Sequence, residues 1–174
     1  MTRHSKRDIV GPSVTRSCRV GVISDTHGLM RPEALAALAG ADHIIHAGDI
    51  GAPEVLSRLS QIAPVTAVRG NNDRGEWAQA IATTAAVEIA GLWFYVLHDL
   101  RQLDLDPRVA GFAAVIAGHS HRPRIEERDG VLYVNPGSAG PRRFALPIAV
   151  ARLHIVAARA RAETVLLSAS PAPR

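Results

Sequence analysis

Five short apolar runs in this chain each end beside a side chain that can bind a metal ion, and that recurrence most constrains the fold. The runs are Val20 to Ile23, Ile44 and Ile45, Val65 to Val68, Trp93 to Leu97, and Ala113 to Ala117. They lead into Asp25-Thr26-His27, Gly48-Asp49, Gly70-Asn71-Asn72-Asp73, His98, and Gly118-His119-Ser120-His121. Apolar runs of this length bounded by glycine read as buried strands. In open α/β sheets, ligands bind in the crevice beyond the carboxyl ends of the strands. Seven donors at five strand ends therefore imply one site, assembled from distant parts of the chain.

Between the runs, Pro32 opens a helix to about Leu38 with Gly40 as its stop, and Pro53 opens another to about Gln61. Val55, Leu56 and Leu59 form the apolar stripe of the second helix. With strands at Arg19–Ser24, His43–Ala47 and Val65–Arg69, this is a β-α-β-α-β unit with parallel strands. Later the pattern changes. Ala86–Ala90 and Leu92–Leu97 pair around Gly91, and Asp104–Gly111 reads as a short helix. Arg124–Arg128 and Val131–Val134 flank Asp129-Gly130, a strong hairpin signal. Ile148–Val156 and Ala162–Leu167 make a final pair. Two sheets packed face to face with helices outside account for this order.

The net charge of +4 looks like a nucleic-acid signal, but its distribution does not. Residues 1–19 hold Arg3, Lys6, Arg7, Arg16 and Arg19 against Asp8, leaving fifteen basic and fifteen acidic groups elsewhere. The excess belongs to a flexible basic tail over residues 1–17, and residues 169–174 read as a second loose tail. Residues 18–168 are the folded domain. Lys6 is the only lysine, which excludes a P-loop or a Schiff-base enzyme in the body. Cys18 is the only cysteine, so neither an intrachain disulfide nor a CxxC site can form. No run approaches the roughly 20 apolar residues of a membrane span, and the basic N-terminal segment lacks the apolar stretch of a signal peptide. The expected setting is the cytoplasm.

Asp25 and Asp49 offer carboxylates, Asn71 a carbonyl oxygen, and His27, His98, His119 and His121 neutral nitrogens. Mixed N/O ligation without thiolate suits Mn²⁺, Fe²⁺, Zn²⁺, Co²⁺ or Ni²⁺ better than Ca²⁺ or Mg²⁺. Seven donors are too many for one tetrahedral ion but suit two if a carboxylate bridges, and Asp49 is the best placed to do so. Two divalent ions against two aspartates leave the site positive. Such a site attracts an anion and holds a hydroxide near neutral pH.

Asp25-x-His27, Gly48-Asp49, Gly70-Asn71-x-Asp73, His98 and Gly118-His119-x-His121 resemble the calcineurin-like metallophosphoesterases. Asn135-Pro136-Gly137-Ser138 resembles the small stand-alone phosphodiesterase branch of bacteria and archaea. The resemblance runs from about Arg19 to Val156. It implies a four-layer α/β/β/α sandwich of two mixed sheets with the metal site at the strand C-terminal ends. It also implies that Asp25, His27, Asp49 and His121 hold one metal, and Asp49, Asn71, His98 and His119 the other. Two positions depart from the wider family. Asn72 stands where many members carry a histidine thought to protonate the leaving group. An amide donates a hydrogen bond but is no general acid at neutral pH. Asp99 follows His98 where glycine is common, and either orients a metal-bound histidine or starts a loop.

The expected activity is a dinuclear phosphodiesterase in which a metal-bridging hydroxide attacks phosphorus. Manganese is the foremost candidate ion, with nickel, zinc, iron or cobalt behind it. Asn72 would contact the phosphate, and Asp73 would support its loop. One of Arg142 and Arg143 could reach substrate phosphate. His43 and His154 read as structural, and His46 more as packing under the site than lining it. A small phosphodiester is the expected partner, nucleic acid a less favoured one, and a closed homo-oligomer the default assembly. The rival reading is a non-catalytic scaffold of the same fold, like the retromer subunit.

Overall fold

The computed structural model describes residues 17–168. The expected tail residues 1–16, with His4, and residues 169–174 lie outside the described residues. Helix α1 (Pro32–Leu38) follows strand β1 (Cys18–Ile23), and α2 (Pro53–Ser60) follows β2 (His43–His46). Each helix has proline in its first turn, where no backbone N–H partner is lost. The chain leaves α1 through Gly40 at φ +73°, a conformation glycine adopts without side-chain penalty. Strand β3 (Val65–Ala67) completes the unit, and β1, β2 and β3 run parallel.

Strands β4 (Thr84–Ile89) and β5 (Leu92–Leu97) form the hairpin around Gly91. Strand β6 (Ala114–Ile116) then pairs in parallel with β5. The Asp129-Gly130 turn joins β7 (Arg124–Arg128) to β8 (Val131–Asn135), and β9 (Ala149–Val156) pairs with β10 (Arg159–Leu166). Among the described residues the strands make two mixed five-stranded sheets. Sheet A has the order β10-β9-β1-β2-β3 and sheet B the order β4-β5-β6-β8-β7.

The sheets meet over a core that includes Val20, Val22, Ile45 and Leu153 from one side and Phe94, Val96, Ile116 and Val134 from the other. Alternation along each strand sends neighbouring residues to opposite faces. Ile23 and Ile44 therefore pack outward under Leu38, Val55 and Leu59 of α1 and α2. Gly21 makes room for that layer, since a Cβ there would stand 2.6 Å from Leu38 Cδ2.

The opposite outer layer departs from expectation. Asp104–Gly111 is not a helix: residues 107–111 form turns, and the cover over sheet B is one 3₁₀ turn at Leu100–Gln102 with the loop after it. Asp106 caps a single turn, its carboxylate accepting from the backbone N–H of Arg108 and Val109, and Gly111 at φ +82° ends that turn before a helix can extend. A four-residue helix, α3 (Glu76–Gln79), lies where no helix was expected. It is too short to show a periodic apolar stripe.

Candidate metal centre

The carboxyl ends of β1, β2 and β3, with those of β5 and β6, bring all seven expected donors to one edge of the sandwich. Backbone hydrogen bonds lace the loops together. Asp25 N–H donates to Gly48 O at 3.0 Å, His27 N–H to Asp49 O at 2.9 Å, and Gly118 N–H to His98 O at 2.9 Å. Asp25, His27, Asp49, His119 and His121 all have positive φ, between 47° and 67°. Left-handed backbone is uncommon outside glycine and costs about 1–3 kcal/mol where the surroundings impose it. Here it turns the chain sharply as it leaves each strand. His119 and His121, two residues apart, thus both face the site.

Asp25 and Asp49 are buried at its floor. One oxygen of Asp25, Oδ2, accepts from the hydroxyl of Ser24 and from His119 N–H at 3.0 Å. The other, Oδ1, is buried, has no hydrogen-bond partner, and lies 3.2 Å from His121 Nε2. His27 Nε2 is 3.5 Å from His121 Nε2 and 3.8 Å from Asp49 Oδ2. On the other side of Asp49, His98 Nε2 stands 3.5 Å from Oδ1 and 3.1 Å from Asn71 Oδ1. His119 Nδ1 is also 3.1 Å from Asn71 Oδ1. Ligand atoms of Asp25, His27 and His121 lie within 4.8 Å of one another, as do those of Asp25, Asp49 and His98.

These donors fit divalent cations. His98 Nδ1 donates to Ala47 O at 2.8 Å, so the neutral ring presents a lone pair at Nε2. That lone pair faces the oxygens of Asn71 and Asp49, and Asp25 Oδ1 faces His121 with no donor of its own. Buried acceptors turned on one another are unfavourable unless a cation lies between them. Protonation is the other way to relieve the repulsion, and the titration tendencies follow it. Burial would lower the pKa of His98, but its contacts with Asp49 and Ala47 outweigh burial and hold it above the ordinary histidine value. Burial would raise Asp49, yet hydrogen bonds from His98 and Asn72 hold its carboxyl well below the usual range. His27 is pushed down, chiefly by burial.

The residues around the donors hold them in place. Asp73 accepts from Gly70 N–H at 2.7 Å and Gly51 N–H at 2.8 Å, tying the Asn71 loop to the Asp49 loop. Asn72 donates to Asp49 through its backbone at 2.8 Å and its side chain at 2.6 Å. His46 lies buried beneath the site. It accepts from Gly48 N–H at Nδ1 and donates from Nε2 to Thr26 Oγ1, which donates to Ile50 O. Burial pushes the His46 pKa down to about 4. The Asn-Pro-Gly-Ser turn stands behind two ligand loops: Asn135 Nδ2 donates to Gly118 O at 2.7 Å, and Ser138 Oγ to Asp25 O at 2.9 Å. Among the other histidines, His43 bonds Thr66 and His154 stands exposed beside Glu163.

Two arginines flank the donors. Arg143 Nη2 is 3.4 Å from His27 Nε2, on the loop where the sequence suggested a phosphate contact. Arg101 was not singled out from the sequence. Its Nη2 donates to His119 Nε2 at 3.0 Å while its guanidinium grips both oxygens of Asp99. Asp99 lies 3.7 Å from His119 Nε2 and holds the Arg101 guanidinium that donates to it, so its carboxylate acts beside His119, not beside its neighbour His98. The pairing was hidden because Arg101 and His119 sit on different segments.

A two-sheet α/β sandwich with carboxylate, amide and imidazole donors at its strand ends defines a scaffold able to bind metal ions. Residues 18–158 match the calcineurin-like phosphoesterase superfamily domain, and the chain belongs to that superfamily. A probable metallophosphoesterase of Methanothermobacter thermautotrophicus is 35% identical over 131 residues, covering 68% of this chain and 76% of the relative. A phosphodiesterase of Methanocaldococcus jannaschii is 30% identical over 138 residues, covering 68% of this chain and 82% of the relative. Among solved structures, an archaeal phosphodiesterase superposes with a TM-score of 0.71 at 26% identity, over 86% of this chain and 99% of that one. Vacuolar protein sorting 29 from Cryptosporidium parvum superposes with a TM-score of 0.70 at 17% identity, over 88% of this chain and 99% of that one; this likeness is one of fold alone. Among the described residues no helix is long and apolar enough to cross a membrane.

Proposed function

We propose that the protein is a dinuclear metal-dependent phosphodiesterase. The observation that carries this reading is the position of Asp49, with His27 beside one carboxylate oxygen and His98 beside the other. Asp25, His27, Asp49 and His121 would hold one ion, and Asp49, Asn71, His98 and His119 the second. Manganese is the ion we favour, a small phosphodiester the substrate, and the cytoplasm the setting. Two such ions, when bound, polarise phosphoryl oxygens and acidify a water nucleophile.

The chain's own residues do the rest. Ser24 and the His119 N–H hold Asp25 Oδ2, leaving Oδ1 directed at the site. The Ala47 carbonyl fixes the His98 tautomer. Asn72 gives one amide hydrogen to Asp49, and its second is available to a phosphoryl oxygen. Arg143 adds positive charge beside His27, while the charge of Arg101 beside His119 is balanced by Asp99. None of these groups is a general acid at neutral pH. Aryl esters, whose leaving groups need no proton, should therefore be cleaved much faster than alkyl esters.

Vacuolar protein sorting 29 has the same fold, so a scaffold role is the second reading. The unpartnered Asp25 oxygen argues against it, because a surface used only for assembly has no need of a buried unsatisfied carboxylate. The deciding experiment uses metal-stripped protein on a bis-aryl phosphodiester and its monoester, with Mn²⁺, Ni²⁺, Zn²⁺ or Mg²⁺ restored. Diesterase activity that returns with metal and disappears in Asp49→Ala supports the enzyme. Folded protein that binds two ions and turns over nothing supports the scaffold.

A further inference from the structure

A groove of about 520 Å³ runs from the donor cluster onto the outer face of sheet B, beside the Leu100–Gln102 turn. His119 and Gly118 line its inner end, so the groove is continuous with the metal centre. Its volume lies in the roughly 300–1,000 Å³ range of small-molecule sites. Its apolar lining is half-buried Leu100 and Tyr133 over buried Val115 and Ala117, and the Arg128 guanidinium stands 4.8 Å from the centroid of the Tyr133 ring. Arg101, Arg122 and Arg124 stand along it against Asp99 and Glu126.

The charges are not equally available. Arg101 is bound to Asp99, and Arg124 to Glu126, which also pairs with Arg128. Arg122 makes no ion pair among the described residues, and only its backbone N–H is bonded, to Ser120 Oγ. The lining therefore keeps one uncompensated cation, set beyond the metal centre and beside these apolar side chains. Ser120 accepts from Arg122 N–H and Asn135 Nδ2, so its own hydroxyl proton remains free to donate.

We propose that this groove binds the ester substituent that stays on phosphorus, and that this substituent is a nucleoside bearing a further phosphate. The inference rests on the diesterase reading of the adjacent centre and names the substrate class for it. With the scissile phosphate at the donor cluster, the base lies against Leu100 and Tyr133. The sugar meets Ser120, and the second phosphate meets Arg122. A choline or ethanolamine head group is disfavoured, because the lining carries a net positive charge at Arg122. A methyl ester leaves Leu100, Tyr133 and Arg122 unused.

The test compares three diesters with the same p-nitrophenolate leaving group: methyl, thymidine, and phosphorylated thymidine p-nitrophenyl phosphate. In metal-loaded protein, kcat/KM should rise along that series, by about tenfold for the nucleoside body, as expected for one base against an aromatic side chain. The nucleoside preference should shrink in Tyr133→Ala, and the preference for the extra phosphate in Arg122→Ala and Arg122→Glu. Equal kcat/KM for all three, or preserved preferences in the variants, would overturn the assignment. A second readout needs no turnover. Thymidine bisphosphate should bind the metal-free protein in titration calorimetry, with affinity lowered about tenfold by Arg122→Ala, as for a lost charged hydrogen bond. Absent binding, or binding equal in Arg122→Ala, would overturn it too. If no diester is cleaved with any metal, the diesterase reading fails, and the calorimetry still decides what the groove binds.

Discussion

The two outer faces of the sandwich are built differently. Over sheet A, α1 and α2 seal a layer in which Leu38, Ile44, Val55 and Leu59 are fully buried. Over sheet B, half-buried Leu100, Leu103 and Tyr133 bury Val115 and Ala117, and the groove opens above them. The halves also contribute different chemistry. Sheet A supplies both carboxylates, the asparagine and His27, whereas sheet B supplies His98, His119 and His121. The sealed half thus holds the charged donors in fixed positions, and the open half leaves space for the part of a substrate that does not react.

Five substitutions, and one pH series with its own control variant, sharpen or break this contrast. The largest effect belongs to the sealed half. Asp49→Ala removes the donor between the two histidine clusters and should lower metal-restored hydrolysis by a thousandfold or so, the scale of several kcal/mol of charge stabilisation. Residual activity within tenfold of wild type would remove Asp49 from its bridging role. Next comes stability. Leu38→Ala should cost about 3 kcal/mol in urea unfolding, against about 1 kcal/mol for the half-buried Leu103→Ala. Equal costs would mean that the thin layer is as tightly packed as the helical one.

Gly118→Ala leaves every donor in place yet should lower activity about a hundredfold, the penalty for displaced reacting groups. A Cβ there would stand 2.8 Å from Asp25 Oδ2 and collide with Ser24. Wild-type activity in that variant would show that the two ligand loops can separate freely. His46 supplies a pH signature under the sealed half. Its folded pKa of about 4 lies below the ordinary 6.5, so the unfolded chain takes up the proton first. The stability tied to neutral His46 is whole above pH 6.5 and is lost as pH falls towards 4. The melting temperature of the metal-free protein should fall across that window, and less so in His46→Gln. The smallest effect is expected at the open side. Asp99→Asn weakens the carboxylate beside His119 and should reduce metal affinity about tenfold by calorimetry.

Much of the fold was legible because local signals agreed with the tertiary outcome. Proline at the start and glycine just past the end of α1 mark a helix from either direction. Asp129-Gly130 marks a hairpin whose strands pair as expected. The failures have local causes too. Between Asp104 and Gly111 the composition allows a helix and Asp106 caps its first turn, but Gly111 at φ +82° ends it there. Helix α3 has only four residues and offers no periodicity to read.

By itself, the sequence determined the order of strands, the β-α-β-α-β unit, and the donor types delivered at each strand end. These follow from side-chain period and turn chemistry, which act over a few residues. Only the tertiary structure decided which donors face one another. Asp25 is held by the backbone of His119 across 94 positions, and Arg101 reaches His119 across 18. It also decided the left-handed backbone at five of the donors, the place of Asp99 beside His119, and the groove beside the Leu100–Gln102 turn. Contacts of that kind depend on how two sheets pack, and no short stretch of chain encodes the packing alone.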